Sequence, residues 1–174
     1  MFKKKSKVII VDDVLSKTVH NFLYNFTMRE PIWNASIDSK EDHHKLFGRI
    51  LYDDERNINT KTNVQALTTM VYMSILDRVD FLSDKIKRIH LGVKAPLQDD
   101  ALHIDNLDDN CYSVLYYLNP EWKKKWGGQT IVDNEKIEYK PNRAIIYKSN
   151  TLHRGLAPKG PVFRSYINYV VYAK

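Results

Sequence analysis

Apolar positions change period part-way along the chain. Val14, Leu15, Val19, Phe22, Leu23 and Phe26 recur at helical spacing after Asp12-Asp13, which predicts a helix beginning at that acidic pair. A short strand over residues 8–11 precedes it. Val64, Leu67, Met70, Val71, Met73, Ile75, Leu76 and Val79 predict a second, longer amphipathic helix from Asn63 to about Leu82. Its apolar stripe reads as core. Residues 30–60 contain Pro31, Gly48 and several polar clusters, and the expectation there is loops with one or two short strands.

After Ser83 the helical period disappears. Residues 85–93, 113–118, 129–132, 136–139, 143–147 and 162–172 are short runs rich in β-branched and aromatic residues. Turn signals separate them: Asn119-Pro120, Gly127-Gly128, Asp133-Asn134 and Pro141-Asn142. Many short strands at this spacing indicate a sandwich or barrel. The expected fold is mainly β with flanking α-helices. It forms a single domain over residues 1–174, with a front part of about 1–84 whose helices brace one sheet and a strand core of about 85–174.

Composition narrows the class. The chain has 174 residues, 43% of them hydrophobic, which suits one domain with a real core and excludes a disordered composition. No apolar run approaches the roughly 20 residues needed to cross a bilayer. The basic start Met1-Phe2-Lys3-Lys4-Lys5 is followed by too short an apolar stretch for a secretion signal, so the expected location is cytoplasmic. The single cysteine, Cys111, excludes an internal disulfide and a multi-cysteine zinc site. The net charge of +6 comes partly from lysines 3, 4, 5 and 7 and from Lys123-Lys124-Lys125. It reads first as a solvated surface and second as an attraction for nucleic acid or acidic proteins.

The candidate chemistry lies in the back half. His103-Ile104-Asp105 places two ligand types two residues apart, on one face of an extended strand. His153 follows 48 positions later. Two imidazoles and one carboxylate are the facial triad that holds non-haem Fe(II) with open positions. Arg164, within an apolar strand pattern, has the planar fork that suits a co-substrate carboxylate. His43-His44 lie in a polar stretch and are expected to bind no metal.

The order of these motifs resembles the Fe(II)- and 2-oxoglutarate-dependent dioxygenases, in their prolyl 4-hydroxylase-like branch. The resemblance is carried by His103-Ile104-Asp105-Asn106, by Tyr112 through Trp122, by Trp126-Gly127-Gly128-Gln129-Thr130, by Pro141 through Tyr147, by Leu152-His153-Arg154-Gly155 and by Arg164-Ser165-Tyr166. It is strong over residues 85–174 and loose before them. It implies a double-stranded β-helix, or jelly roll, with His103, Asp105 and His153 on iron and Arg164 on the distal carboxylate of 2-oxoglutarate. Tyr117 matches the tyrosine that donates a second hydrogen bond to that carboxylate; with reversed strand parity Tyr116 takes its place. Asn106 and Arg154 flank the ligands and are either outer supports or purely structural. Gly127-Gly128 is assigned a structural role.

Two departures stand out. The stretch Leu91-Gly92-Val93-Lys94 lacks the tyrosine that many relatives carry there, with His90 or Lys94 as replacements, and Tyr166 stands where some relatives have serine. Asp105 separates the site from halogenating relatives, in which a small residue replaces the carboxylate. The implied reaction is therefore hydroxylation coupled to decarboxylation of 2-oxoglutarate to succinate and CO2, with Fe(II), O2 and ascorbate as reductant. The first expectation for the substrate is a peptidyl residue, proline foremost. The alternatives are a nucleic acid base or small molecule, supported only by charge, and a non-catalytic jelly-roll metal-binding module, since the same ligands also hold zinc. Substrate contacts are expected from residues 30–60, 94–102 and 119–127.

Overall fold

The first helix begins later than its apolar pattern suggests. A computed structural model describes residues 8–29, 34–37 and 45–174, with the backbone alone for 34–37, 45 and 46. After strand β1 (Ile9–Val11), helix α1 runs over Lys17–Arg29. Asp13 takes a left-handed φ of 53°, so a helix cannot pass through it. Ser16 begins the helix instead, its hydroxyl accepting from the Val19 amide at 3.3 Å. Asp12 is occupied elsewhere: both its oxygens take guanidinium hydrogen bonds from Arg143, at 2.6 and 3.0 Å.

The front half holds more strand than its pattern predicts. β2 (Asn34–Ile37), β3 (Lys45–Asp53) and β4 (Ile58–Asn59) precede helix α2 (Asn63–Leu76). β3 is nine residues long and contains Gly48, which alone reads as a breaker. Pairing with a long neighbour on one side and β2 on the other overrides that local signal. Residues 30–33 and 38–44, His43 and His44 among them, lie outside the described residues.

α2 is capped by Thr62, whose side chain accepts from the Gln65 amide at 3.2 Å. It ends at Leu76 rather than near Leu82. Val79 and Leu82 continue the apolar stripe because both stay buried in the same core, although Leu82 already opens the next strand.

β5 (Leu82–Lys94), β6 (Cys111–Tyr117), β7 (Thr130–Val132), β8 (Glu135–Ile137), β9 (Ala144–Lys148), β10 (His153–Gly155) and β11 (Arg164–Ala173) follow. The final strand starts at Arg164, where its pairing with Lys94 of β5 begins, and Phe163 before it is half exposed. All pairing between these strands is antiparallel. One sheet runs β1-β9-β6-β11-β5-β3-β2, with β4 attached to β3; the other runs β10-β7-β8. This is the jelly-roll arrangement, mainly β, with the two helices against the larger sheet.

The larger sheet divides two apolar cores. On one face, Leu23 of α1 and Val64, Val71, Tyr72 and Ile75 of α2 pack against Ile89, Val114, Tyr116, Ile167 and Tyr169. The Tyr169 hydroxyl fastens the sheet to α2 through the Thr68 carbonyl at 2.7 Å. On the other face, Leu115, Tyr117, Ile145, Tyr147 and Tyr166 meet Val132 and Ile137 of the small sheet and Tyr139 beside it. Alternation along β6 thus sends Tyr116 to the helix side and Tyr117, with Ser113 and Leu115, to the side between the sheets. No helix among the described residues is long and apolar enough to cross a membrane.

Candidate metal centre and co-substrate pocket

His103 and Asp105 do not lie in a regular strand. The local structure is a single antiparallel bridge between His103 and His153, closed by reciprocal backbone bonds of 3.0 and 2.9 Å. Asp105 is placed by its own amide on the Ser149 carbonyl at 3.0 Å. Long-range pairing therefore brings the three side chains together, where strand alternation was the expectation. One ligand atom from each of His103, Asp105 and His153 lies within 4.8 Å of the others.

Both imidazoles are oriented alike. Nδ1 of His103 faces the Ala101 carbonyl at 3.0 Å, and Nδ1 of His153 faces the Thr151 carbonyl at 2.9 Å. A carbonyl only accepts, so in the neutral ring Nδ1 carries the hydrogen and Nε2 keeps its lone pair. His153 Nε2 stands 3.4 Å from Asp105 Oδ2.

The Asp105 carboxylate is held from three sides. Oδ1 accepts from Arg88 Nη2 at 2.8 Å and from Asn168 Nδ2 at 3.0 Å, and Oδ2 accepts from the Ser113 hydroxyl at 2.6 Å. Burial alone would raise the pKa of this carboxyl. The His153 hydrogen bond and the charges of His153 and Arg88 outweigh burial and hold it well below the usual carboxylate range. The opposite shift appears on His153: burial would lower it, and Asp105 raises it. The residue set fits a divalent metal: His153 shares its Nε2 proton with Asp105 here, and loss of that proton leaves two Nε2 lone pairs beside a carboxylate that stays ionised and oriented.

A cavity of about 670 Å³ opens beside the triad. His103, Asp105 and His153 line it together with His90, Leu115, Thr130, Tyr147, Tyr166 and Asn168, and Arg164 closes the inner end. Arg164 is 1% exposed, and among the described residues it has no carboxylate partner. Its Nε donates to the Gly128 carbonyl at 2.9 Å and its Nη2 to Thr130 Oγ1 at 2.8 Å. The guanidinium carbon lies 5.2–5.5 Å from the ring centres of Tyr117, Tyr139 and Tyr166. A desolvated cation held by neutral groups at the end of a cavity is a receptor for an anion.

Gly155 makes this packing possible. A Cβ there would stand 2.7 Å from Asp100 Oδ2 and 3.2 Å from Arg164 Nη1. Asp100 in turn neutralises the buried Lys94, which faces Arg164 across the β5–β11 pair. Lys94 is thereby committed to an ion pair, while His90 is on the cavity wall. Burial and the charge of Arg88 lower the His90 pKa to about 4.

Tyr117 stands beside Arg164, its hydroxyl 2.8 Å from Thr130 Oγ1. Tyr116 faces away, 2.6 Å from His20. Asn106 shapes the loop after Asp105 by accepting from the Asp108 amide at 2.8 Å. Arg154 alternates away from His153 in β10. Gly127 and Gly128 adopt positive φ of 67° and 73°, and the second also presents its carbonyl to Arg164. Trp122, from the 119–127 segment, packs on Tyr139 with ring centres 4.1 Å apart, behind the arginine. The cavity is lined instead by Gly48, Arg49, Ile50, Arg56, Ile58 and Thr60.

Ser113, Thr130 and Asn168 were not singled out by the sequence. Ser113 shares the strand face of Tyr117, and Asn168 that of Arg164, so alternation held the signal.

Residues 93–171 match the family model of the 2OG-Fe(II) oxygenase superfamily. This segment belongs to that superfamily. The match indicates an enzyme, a 2-oxoglutarate-dependent oxygenase using Fe(II) and O2, and His103, Asp105 and His153 could hold the metal. No curated protein matches the chain in sequence. Solved structures match its fold at low identity. A prolyl 4-hydroxylase from Pseudomonas putida is 15% identical, with 97% of this chain and 94% of that one covered and a TM-score of 0.66. A prolyl hydroxylase from Trichoplax adhaerens, in complex with a hypoxia inducible factor peptide fragment, is 16% identical, with 97% and 84% covered and a TM-score of 0.65. A viral collagen prolyl hydroxylase from Paramecium Bursaria Chlorella virus-1 is 17% identical, with 98% of each chain covered and a TM-score of 0.64.

Proposed function

We propose that this oxygenase hydroxylates a peptidyl residue, with proline the first candidate. The observation that carries the chemistry is the shared cavity: three metal-ligand side chains at one wall and a buried arginine without an acidic partner, among the described residues, at its inner end. His103 and His153 bind Fe(II) through Nε2, and Asp105 binds through its carboxylate. Bound Fe(II) supplies the activation of O2 that couples oxidative decarboxylation of 2-oxoglutarate, giving succinate and CO2, to insertion of one oxygen into a substrate C–H bond.

The chain's own groups do the positioning. Arg88, Ser113 and Asn168 keep the Asp105 carboxylate ionised and oriented. Arg164 pairs the distal carboxylate of 2-oxoglutarate, with Gly128, Thr130 and Tyr117 fixing the guanidinium. Leu115 and Tyr147 line the stretch between and exclude water, which strengthens every charge interaction inside.

The likeness in fold to prolyl hydroxylases, one of them bound to a peptide, supports the peptidyl substrate. The basic tracts do not favour nucleic acid at this site. Lys123, Lys124 and Lys125 do not line the cavity, and lysines 3, 4, 5 and 7 lie outside the described residues. The test is a peptide-hydroxylation mass assay with Fe(II), 2-oxoglutarate and ascorbate, with succinate measured in parallel. Gain of one oxygen on a prolyl peptide is the expected result. Succinate release without any modified peptide removes the peptidyl substrate and leaves the oxygenase, while no succinate under any condition removes the oxygenase.

A further inference from the structure

Both acidic side chains on the cavity wall are already balanced. Asp105 is bonded to Arg88, and Asp100 is paired with the buried Lys94; both cations stand on β5. The same wall carries Arg49, Arg56, Arg88 and Arg164. Arg88 serves Asp105 and Arg164 the co-substrate. Arg49 and Arg56 have no part in either.

Arg49 is a half-buried residue of β3 and, among the described residues, has no acidic partner. Arg56 lies in the turn between β3 and β4. Its side chain is 65% exposed, and its ion pair with Asp53 is a loose 3.6 Å contact. The acids of that turn are engaged elsewhere. Asp53 is buried and accepts from the Arg56 amide at 3.0 Å, Asp54 accepts from the Tyr172 hydroxyl at 3.1 Å, and Glu55 pairs with Lys87 at 2.7 Å. None of these acids lines the cavity.

A divalent ion on the triad takes up the Asp105 charge that Arg88 balances. The dicarboxylate co-substrate offsets that ion, and Arg49 and Arg56 are left without a counter-charge. A cleft lined by one sign of charge focuses the field toward ligands of the other sign. The guanidinium fork matches a carboxylate in shape. Ile50 and Ile58 line the same cavity. The wall therefore suits an apolar body with an acidic neighbour.

We propose that the primary substrate is anionic, with a carboxylate received by Arg49 and Arg56. This rests on the peptidyl reading and narrows it to an acidic peptide, in which a glutamate or aspartate stands close to the hydroxylated residue.

The test is calorimetric titration into protein loaded with Mn(II) and 2-oxoglutarate. The ligands are prolyl peptides of equal length, with the proline flanked by glutamates, by glutamines or by lysines, and N-acetylproline as a free acid. The glutamate peptide binds about tenfold more tightly than the glutamine peptide, the scale of one hydrogen bond between charged groups, and the lysine peptide binds more weakly still. Added salt narrows the difference. In the double variant Arg49→Gln, Arg56→Gln, shown to be folded by its melting curve, the preference disappears. Equal affinity for all the peptides overturns the anionic substrate and leaves the peptidyl one. A preference kept by the double variant overturns the assignment to these arginines. Binding of N-acetylproline but of no peptide supports the anionic site and removes the peptidyl reading, while binding of none of the ligands removes both.

Discussion

His103 and His153 meet as an antiparallel backbone pair, each amide donating to the other's carbonyl at 3.0 and 2.9 Å. The two imidazoles are therefore set side by side by main-chain bonds that do not depend on the side chains. The triad is an attachment to a bridge that closes by itself.

His103→Ala should accordingly remove metal binding while sparing the fold. The backbone bridge survives, so the melting temperature of the metal-free protein should stay near the wild-type value. Fe(II) affinity should drop by at least about 100-fold, since loss of an outer support alone costs metal sites 10–100-fold. Metal stoichiometry by elemental analysis, beside a melting curve, checks both. A variant that still holds stoichiometric iron would show that His103 is not a ligand.

Arg164→Ala should act on the co-substrate. The guanidinium is buried, and its fork suits a carboxylate, so its loss should raise the 2-oxoglutarate KM by about 100-fold or more. Arg164→Lys should recover little of this. Lysine cannot donate at once to Gly128, to Thr130 and to a ligand in the same geometry. Succinate release against 2-oxoglutarate concentration reads the effect, and an unchanged KM in Arg164→Ala would refute the anchor.

Gly155→Ala tests the packing around that arginine without removing any side chain from the cavity. The added Cβ meets Asp100 Oδ2 at 2.7 Å and Arg164 Nη1 at 3.2 Å, so the Lys94–Asp100 pair and the guanidinium must shift together. The expected result is a lower melting temperature, by about 1–3 kcal/mol of stability, and a raised 2-oxoglutarate KM. Unchanged values would mean that the site absorbs a methyl group without moving either charge.

His20 carries a pH dependence. It is buried against the helix side of the sheet, with Nδ1 2.6 Å from the Tyr116 hydroxyl and Nε2 3.1 Å from the Asn119 carbonyl. Burial lowers its pKa from 6.5, and the Asn119 carbonyl offsets part of that. A histidine depressed in the folded state takes up its proton more readily when unfolded. Its contribution to stability is therefore full above pH about 6.5 and is lost progressively as pH falls from there through the lowered folded-state value. His90 acts in the same direction and His153 in the opposite one, so the informative quantity is a difference. Between pH 7.5 and 5, stability of the wild-type protein should fall more steeply than that of His20→Phe; parallel curves would dismiss His20 as a contributor.

Much of this site was legible because its chemistry sits in short local patterns. His103-x-Asp105, His153 and Arg164 are rare residue types in an apolar context, and motif order survives where overall identity to solved relatives is 15–17%. The resemblance pointed to Tyr117, strand parity supported it, and a reversed parity would have put Tyr116 in its place. The weaker readings were those in which one signal had two meanings. The stripe ending α2 and the start of β5 are both apolar, so the helix seemed to run on to Leu82. Residues 30–60 read as loops with one or two short strands, whereas pairing with β5 makes β3 a nine-residue strand, part of which lines the cavity.

By itself the sequence determined which groups are available: a candidate triad of metal ligands, a cation whose shape suits a carboxylate, and a strand-rich back half to carry them. Tertiary structure alone decided which groups share space. The His103–His153 bridge, the Lys94–Asp100 pair beside Arg164, and the phenol of Tyr166 across Gly92 each join residues more than five positions apart, the first and last of them by 50 or more. Such contacts depend on sheet register. Register is set by all the antiparallel pairings at once, through the burial of alternate residues, and no local period records it.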